Sequence, residues 1–261
     1  MGASKRRLRG REEPNGDERL VVGGPHAVEA LLAGKLTVER VFLSATAPRR
    51  AQQLAEDARH RGIPVSSVGE AECDRLCGGA RSQGVAAATR FSYAEHSEVL
   101  DATRDGGLVV YLDGVTDPHN LGAILRTAAA AGVAGVVIPG RRSAAVTAAV
   151  VRVSAGTALT VPVVRVGNLV QALTEAKRAG LWLIGLDHRS ERLLTAAAPS
   201  MPHGLVVGGE GEGLHRLAAE TCHELARLPM AGAVESLNAS VAAALAIYRL
   251  REVALYGAPR G

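Results

Sequence analysis

Short apolar runs alternate with amphipathic stretches along most of the chain, and this alternation predicts β-strands separated by α-helices. The run VERVFLS at 38–44 is typical of a strand. The stretch PRRAQQLAEDARHRG at 48–62 has a polar face and ends in a glycine, as helices commonly do. Because such pairs recur along the chain, the sequence predicts an α/β protein.

The same alternation divides the chain into four segments. Residues 1–19 are charged and have few apolar positions, so we expect a disordered basic arm. Residues 20–93 contain four strand-like runs and predict a small α/β domain, and the polar stretch 94–107 is interpreted as a linker. In residues 108–257 the strand-like runs are almost wholly apolar, which is typical of a parallel sheet covered on both faces.

Composition excludes several classes of protein. No apolar run among the 261 residues is long enough to span a bilayer, and the charged N-terminus lacks the apolar core of a secretory signal. Three cysteines do not make a disulfide framework, and Cys73 and Cys77 lack the further thiols of a zinc site. We therefore expect a cytoplasmic protein with no membrane association and no bound metal.

The net charge of +4 permits contact with nucleic acid without requiring it. Arginine supplies every basic side chain except three lysines, and its guanidinium is the better donor to phosphates. A general bias of the composition toward arginine, alanine and glycine explains the same observation. The charge alone therefore assigns no partner.

The stretch DPHNLGAILRTA at 117–128 begins with a turn-like Asp-Pro and continues with apolar residues at helical spacing. We place Asn120 at the N-cap of this helix. Arg126 lies off the apolar face, among small neighbours, and points back toward the end of the helix that carries Asn120. The apolar face consists of Leu121, Ile124, Leu125 and Ala128. Taken alone, the stretch is explained by a cap and a solvated arginine.

The stretch GLVVGGEGEGL at 204–214 is an apolar run that enters a glycine-rich loop. The glycines permit positive φ angles and a close approach of the backbone to a ligand. The pattern matches neither dinucleotide-binding nor P-loop spacing. Glu210 and Glu212 would repel a pyrophosphate, so the loop favours a neutral or cationic nucleoside such as S-adenosylmethionine. A tight strand-to-helix connection explains the glycines equally well.

The stretch LPMAGAVESLNASVAAALAIYRL at 228–250 predicts the end of a strand, a loop of small residues and a long helix. Ser236 and Asn238 are both suitable N-caps. The alanines of the helix suit close packing against another helix, either within the chain or in a second subunit.

In this order and at this spacing, the three stretches resemble the three motifs of the SpoU (TrmH-type) RNA 2'-O-methyltransferases of the SPOUT superfamily. The resemblance extends over roughly Leu108 to Tyr256. The DPHN variant of the first motif and the segment GGPHAVEALL…QGVAA are most similar to the bacterial enzymes that methylate a guanosine ribose in 23S rRNA.

The resemblance implies a fold and partners that periodicity does not show. It implies a parallel-sheet domain whose C-terminal segment forms a trefoil knot, preceded by a ribosomal-protein-like domain that binds the RNA substrate. It also implies a homodimer, with the last helix and the first-motif helix at the interface.

The resemblance further implies S-adenosylmethionine as the cofactor and a set of site residues. Backbone groups would hold the cofactor at Gly208, Gly209, Leu228, Met230 and Leu237. The polar positions of the family, to which catalysis is assigned, fall on Asn120, Arg126, Glu210, Ser236 and Asn238. A guanidinium is not normally deprotonated in a protein, so we interpret Arg126 as an electrostatic clamp rather than as a general base.

Three other functions are compatible with the sequence. They are a tRNA ribose methyltransferase, a non-catalytic RNA-binding protein that retains the fold, and a nucleotide-dependent α/β enzyme that uses the glycine loop. Transfer of a labelled methyl group to RNA separates the first two, and binding of NAD or ATP identifies the third.

Overall fold

The computed structural model describes residues 18–34, 36–194, 202–209, 211, 213–231 and 236–256. These residues form two β-sheets, one of four strands and one of six. None of the described helices is long and apolar enough to cross a membrane.

The four-stranded sheet has the order β1-β4-β2-β3. Strand β4 runs antiparallel to β1 and β2, and β2 runs parallel to β3. Helices α1 and α2 pack on one face of this sheet and α3 on the other. The elements are β1 (Glu18–Gly23), α1 (Pro25–Ala33), β2 (Val38–Ser44), α2 (Arg49–His60), β3 (Val65–Val68), α3 (Glu70–Leu76) and β4 (Val85–Phe91).

The six-stranded sheet has the order β10-β8-β9-β5-β6-β7, and every pair of neighbours is parallel. Its central strands are almost wholly buried, which confirms the prediction of an α/β fold built on a parallel sheet. The strands are β5 (Gly107–Asp113), β6 (Gly135–Pro139), β7 (Val163–Val166), β8 (Trp182–Leu186), β9 (Pro202–Gly208) and β10 (Glu224–Ala226).

Helices cover both faces of the larger sheet. Helices α5, α6 and α9 contribute to a core that continues into α1 and α2 of the smaller unit. Helices α4, α7 and α8 contribute to a second core on the opposite face. The helices are α4 (His96–Asp101), α5 (Pro118–Ala130), α6 (Ala148–Val153), α7 (Leu169–Arg178), α8 (Arg216–Thr221) and α9 (Ala239–Tyr256), with a short 3-10 helix at Thr157–Leu159.

The structure differs from the predicted segments at two boundaries. Glu18 and Arg19, which we assigned to the arm, pair with Phe91 and Arg90 in the first sheet; residues 1–17 of the predicted arm lie outside the described residues. The predicted linker contains helix α4, whose Val99 is buried and occupies the space beside Gly135. This segment therefore packs on the larger sheet instead of only connecting the two units.

A polar seam joins the two units. The guanidinium of Arg165 donates to a carboxylate oxygen of Glu18 at 2.8 Å and lies 5.5 Å from the centre of the Tyr93 ring. The Tyr93 hydroxyl accepts from the Val146 backbone N–H at 3.2 Å, and the Ala94 N–H donates to the Val163 carbonyl at 2.8 Å. These contacts fix the end of the first unit against the edge strand β7 of the second.

A chain of polar side chains crosses the second core. The hydroxyl of the fully buried Tyr111 lies 3.1 Å from Nε2 of His96, whose Nδ1 lies 3.3 Å from a carboxylate oxygen of Glu175. An ionised carboxylate only accepts, so Nδ1 donates to Glu175, and in the neutral tautomer that carries this proton Nε2 accepts from the Tyr111 hydroxyl. Burial, and then the nearby Glu175 charge, raise the pKa of Tyr111, so the phenol stays a neutral donor.

We expect Tyr111→Phe to lower the free energy of unfolding by about 1–3 kcal/mol, because it leaves the Nε2 acceptor of His96 without its buried donor. Urea denaturation measures this change. A double-mutant cycle supplies the control: in a His96→Ala background the same substitution should cost clearly less. Equal costs in both backgrounds would show that the hydroxyl stabilises the fold by another route.

Candidate active site

The three stretches singled out in the sequence meet at the C-terminal edge of the larger sheet, where open α/β sheets bind ligands. Strands β5, β8 and β9 end beside one another there, at Asp113, Leu186 and Gly208. A cavity of about 420 Å³ opens at this edge. It is lined by Leu186, His188, Val207, Gly208, Gly209, Gly211, Gly213, Leu228, Met230, Ser236, Leu237, Asn238, Ala239 and Ala242.

Two glycines line the cavity at positions where no other residue fits. A Cβ atom on Gly208 would lie 2.1 Å from the carbonyl carbon of Gly213, and one on Gly209 would lie 2.3 Å from the carbonyl oxygen of Gly114. Gly211 and Gly213 have φ angles of 81° and 67°, which disfavour other residues. The glycine loop is thus packed backbone against backbone, and its main chain faces the cavity.

Asp113 holds this loop against the end of β5. Its carbonyl oxygen accepts from the Gly209 N–H at 2.8 Å. One carboxylate oxygen accepts from the His215 backbone N–H at 2.7 Å, and the other lies 2.9 Å from the imidazole Nδ1 of His215. Asp113 therefore holds both ends of the glycine loop: its carbonyl accepts a hydrogen bond from Gly209, and its carboxylate accepts one from His215.

Helix α5 begins earlier than the sequence suggested. Its N-cap is Asp117, whose side chain accepts from the His119 N–H at 2.9 Å, with Pro118 at the first helical position. The prediction that Asn120 is the N-cap is therefore wrong. Asn120 lies in the first turn, where it is buried and its Oδ1 accepts from Nδ2 of Asn238 at 3.0 Å.

The hydrogen bond between Asn120 and Asn238 joins the first and third stretches. Of the two N-caps considered for the last helix, Asn238 is the one observed, because its Oδ1 accepts from the Ser240 N–H at 3.0 Å and from the Val241 N–H at 3.3 Å. One amide thus caps α9 with its oxygen and bonds Asn120 with its nitrogen. Ser236 is exposed on the rim of the cavity.

Arg126 is exposed on α5 and does not line the cavity. Among the described residues, none forms a hydrogen bond or ion pair with its guanidinium. The helix surface around Arg126 is open, because its small neighbours Ala123, Thr127 and Ala130 are partly or fully exposed. The Thr127 hydroxyl donates to the Ala123 carbonyl, which leaves Arg126 as the charged group of this surface.

The structure brings most of the predicted site residues together. All five predicted cofactor residues line the cavity, as do Ser236 and Asn238. Asn120 contacts the cavity through Asn238, and Glu210 lies outside the described residues. His188, which follows β8, also lines the cavity and was not predicted; its signal was the polar pair Asp187-His188 at the end of an apolar run.

The chemistry of the cavity is mostly neutral. Apolar side chains and glycine backbone form its walls, and among the described lining residues there is neither lysine nor arginine. Asp187 next to it is bound by Arg189 through two hydrogen bonds of 3.0 and 2.8 Å, which lower the pKa of that carboxyl. No cluster of three metal-ligating side chains occurs within the described ranges.

Comparison with known proteins assigns both units to families. The family described as the SpoU rRNA methylase family matches residues 107–248, and that described as RNA 2'-O ribose methyltransferase substrate binding matches residues 21–94. The first match spans the larger sheet and the cavity. The second spans the smaller sheet and thus places a substrate-binding domain at the N-terminal side.

Similar proteins and structures agree with this assignment. The chain is 41% identical to the 23S rRNA (guanosine-2'-O-)-methyltransferase RlmB of Bordetella pertussis, over 87% of this chain and 95% of that relative. It is 40% identical to an uncharacterized tRNA/rRNA methyltransferase of Mycolicibacterium gilvum, over 93% and 79% respectively.

Among solved structures, the AdoMet-bound rRNA methyltransferase of Sinorhizobium meliloti is 26% identical and superposes with a TM-score of 0.75, covering 90% of this chain and 87% of that one. The match of the larger unit, with the glycine wall and the asparagine pair it contains, gives the conclusion that the chain belongs to the SpoU rRNA methylase family.

Proposed function

We propose that this protein transfers a methyl group from S-adenosylmethionine to a ribose 2'-hydroxyl of a guanosine in 23S rRNA. The observation that carries the proposal is the cavity of about 420 Å³ at the sheet edge, in a chain that is 41% identical to a 23S rRNA (guanosine-2'-O-)-methyltransferase. Nucleoside-sized ligands occupy cavities of about 300–1,000 Å³.

The walls of the cavity fit S-adenosylmethionine. Glycine main chain at Gly208 and Gly209 offers hydrogen-bonding groups at close range, and Leu228, Met230 and Leu237 offer apolar surface. The absence of lysine and arginine among the described lining residues suits a cationic sulfonium and disfavours a triphosphate. When bound, this cofactor supplies an electrophilic methyl group.

The polar residues around the cavity have positioning roles in the proposal. Asn120 and Asn238 hold each other, so that the start of α5 and the start of α9 keep a fixed distance beside the cavity. We assign Ser236, which lies on the rim, to contact with the ribose, and Glu210, outside the described residues, to the orientation of the glycine loop or of Arg126. Fixed positions of this kind lower the activation free energy by pre-aligning the reacting atoms.

Arg126 is proposed as an electrostatic clamp. A guanidinium stays protonated in proteins, so it does not accept the proton of the 2'-hydroxyl. It donates in a bidentate manner to phosphate and stabilises negative charge that develops on a neighbouring oxygen. Its exposed position and open surroundings leave it accessible to an RNA backbone.

The finer features of the fold also belong to this proposal. We assign residues 20–93 to RNA binding and 108–257 to methyl transfer, while 94–107 connects them and also packs on the larger sheet through α4. The segment from β10 to α9 lines the same cavity as the glycine loop that precedes β10, which supports a trefoil knot formed by the C-terminal segment. Such threading is rare among protein folds.

A homodimer is supported by the outer surface of α9. The helix buries Ala243, Ala246, Ile247 and Leu250 within its own chain, so part of its alanine face packs internally. The opposite face exposes apolar side chains at helical spacing, namely Val241, Leu245, Tyr248 and Leu255. An exposed apolar stripe of this kind is typical of a protein interface.

The first experiment measures methyl transfer from labelled S-adenosylmethionine to in vitro transcribed 23S rRNA and to total tRNA. We expect labelling of 23S rRNA, with the label mapping to a guanosine 2'-oxygen. Labelling of tRNA alone would identify the tRNA enzyme that the name of the Mycolicibacterium relative also allows. RNA binding without transfer would identify a non-catalytic protein.

Arg126→Ala should lower kcat by at least about 100-fold, the size of the loss of one charge-stabilising donor. It should leave the affinity for S-adenosylhomocysteine within about twofold, because Arg126 does not line the cavity. Single-turnover kinetics and calorimetry measure the two quantities. Arg178→Ala, which removes an exposed arginine from α7, is the matched control and should change neither. Equal losses of turnover and affinity in Arg126→Ala would contradict the clamp.

Leu245→Arg should convert a dimer into monomers, because it places a charge in the apolar stripe of α9. Light scattering coupled to size-exclusion chromatography reports the mass. Leu217→Arg on α8, at a leucine that is similarly exposed, is the control and should leave the mass unchanged. A wild-type protein of monomeric mass would remove the dimer from the proposal.

A further inference from the structure

A second, smaller cleft of about 120 Å³ lies between the two units, and the site described above does not include it. His26 and Gln83 of the first unit line one side, and Arg152 and Ala155 of the second line the other. We call this the interdomain cleft.

The two units contact each other directly beside the interdomain cleft. The turn after α6 packs directly on α1, since a Cβ atom on Gly156 would lie 2.8 Å from the Cβ of Ala30. The seam formed by Arg165, Glu18 and Tyr93 fixes the same two units elsewhere along their boundary. The cleft is therefore bounded by direct contacts between the two units.

Two residues of the lining have backbone conformations that side chains rarely adopt. Gln83 has a φ of 51° and Ala155 a φ of 53°, one on each side of the cleft. Non-glycine residues in this region are strained and tend to occur at functional sites. The two positions therefore place backbone strain on both sides of the cleft.

Arg152 supplies a positive charge to the interdomain cleft, and no carboxylate occurs among the described residues that line it. Arg152 is exposed, and within the described ranges no residue forms a hydrogen bond or ion pair with its side chain. The nearby Glu29 is bound by Arg50 at 2.6 Å, and the same guanidinium lies 3.3 Å from the Nδ1 of His26. Arg152 thus lacks an internal counter-ion at a concave surface, where an anion is favoured.

The interdomain cleft lies across α6 from the helix that carries Arg126. Helix α6 contacts both β1 and α5, and a Cβ atom on Gly122 of α5 would lie 2.7 Å from the Cβ of Val153. Arg152 and Arg126 are therefore on neighbouring helices. One helix diameter is about 10 Å, a distance that a few nucleotides of one strand span.

We propose that the interdomain cleft binds a phosphate of the substrate RNA through Arg152, so that the RNA strand crosses α6 between the substrate-binding domain and the catalytic edge. This inference rests on the proposed function, because the methylated RNA is the ligand. The fork of the guanidinium donates to phosphate in a bidentate manner. The role of Arg152 is to position the strand, and it takes no part in methyl transfer.

Arg152→Gln tests this assignment, because it keeps a polar side chain and removes the charge. We expect weaker binding of in vitro transcribed 23S rRNA, with the slope of log affinity against log salt reduced by roughly 0.7–0.9, the loss of one phosphate contact. The KM for RNA should rise, while kcat at saturating RNA and the affinity for S-adenosylhomocysteine stay the same. Arg178→Gln on α7 is the matched control for an equal loss of charge.

Two further measurements separate the possible outcomes. Arg152→Lys should keep the salt slope and lose part of the affinity, since lysine retains the charge without the fork. A salt slope for Arg152→Gln equal to that of Arg178→Gln would overturn the inference while leaving the proposed function intact. Wild-type protein that binds 23S rRNA without methylating it would overturn the proposed function, and the salt slopes would still decide whether Arg152 contacts phosphate.

Discussion

The contact of backbone with backbone at one edge of the larger sheet is the constraint on which the cavity depends. Gly208 abuts Gly213, and Gly209 abuts Gly114, at distances that exclude a Cβ atom. Because these contacts bring the end of β9 against the end of β5, the main chain itself forms the wall of the cavity. Asp113 then fixes the loop through hydrogen bonds to Gly209 and His215. A side chain at Gly209 would push the end of β9 away from the end of β5, and a side chain at Gly208 would push the returning loop at Gly213 out of place.

Much of the fold could be predicted from the sequence, because its long elements have strong patterns. The buried strands β5 and β9 appear as apolar runs, and α7 begins after its cap Asn168 and ends two residues before Gly180. The short helices α3 and α4 were missed, since each buries a single side chain, Cys73 and Val99 respectively. The start of α5 was misplaced because Asp117 and Asn120 both suit an N-cap. Pro118 at the first helical position was the signal that decides between them.

The site residues could be predicted only where they belong to a motif of neighbouring residues in the sequence. The glycines of the loop and the polar residues before α9 were assigned to the site by the resemblance of their motifs to a known family, and the described ones do line one cavity. The hydrogen bond between Asn120 and Asn238 was not, since 118 residues separate the partners and only the packing of α5 on α9 brings them together. His188 was missed for the same reason, as the strand order that places β8 beside β9 is not encoded in any local pattern.

The distribution of arginine partners connects the fold with the proposed handling of RNA. Arginines that brace the architecture have acceptors within the chain: Arg165 bonds Glu18, Arg189 bonds Asp187, and Arg251 bonds the carbonyl at the end of α5. Arg126 and Arg152 have none among the described residues, although they lie on two helices that pack together. Leaving a guanidinium exposed and unpaired costs little in water, but it contributes nothing to the stability of the fold. Arg178 on α7 is also exposed and has no acceptor among the described residues, so lack of a partner does not by itself distinguish them. What distinguishes Arg126 and Arg152 is their position on two helices that pack together, where one RNA strand can supply acceptors to both.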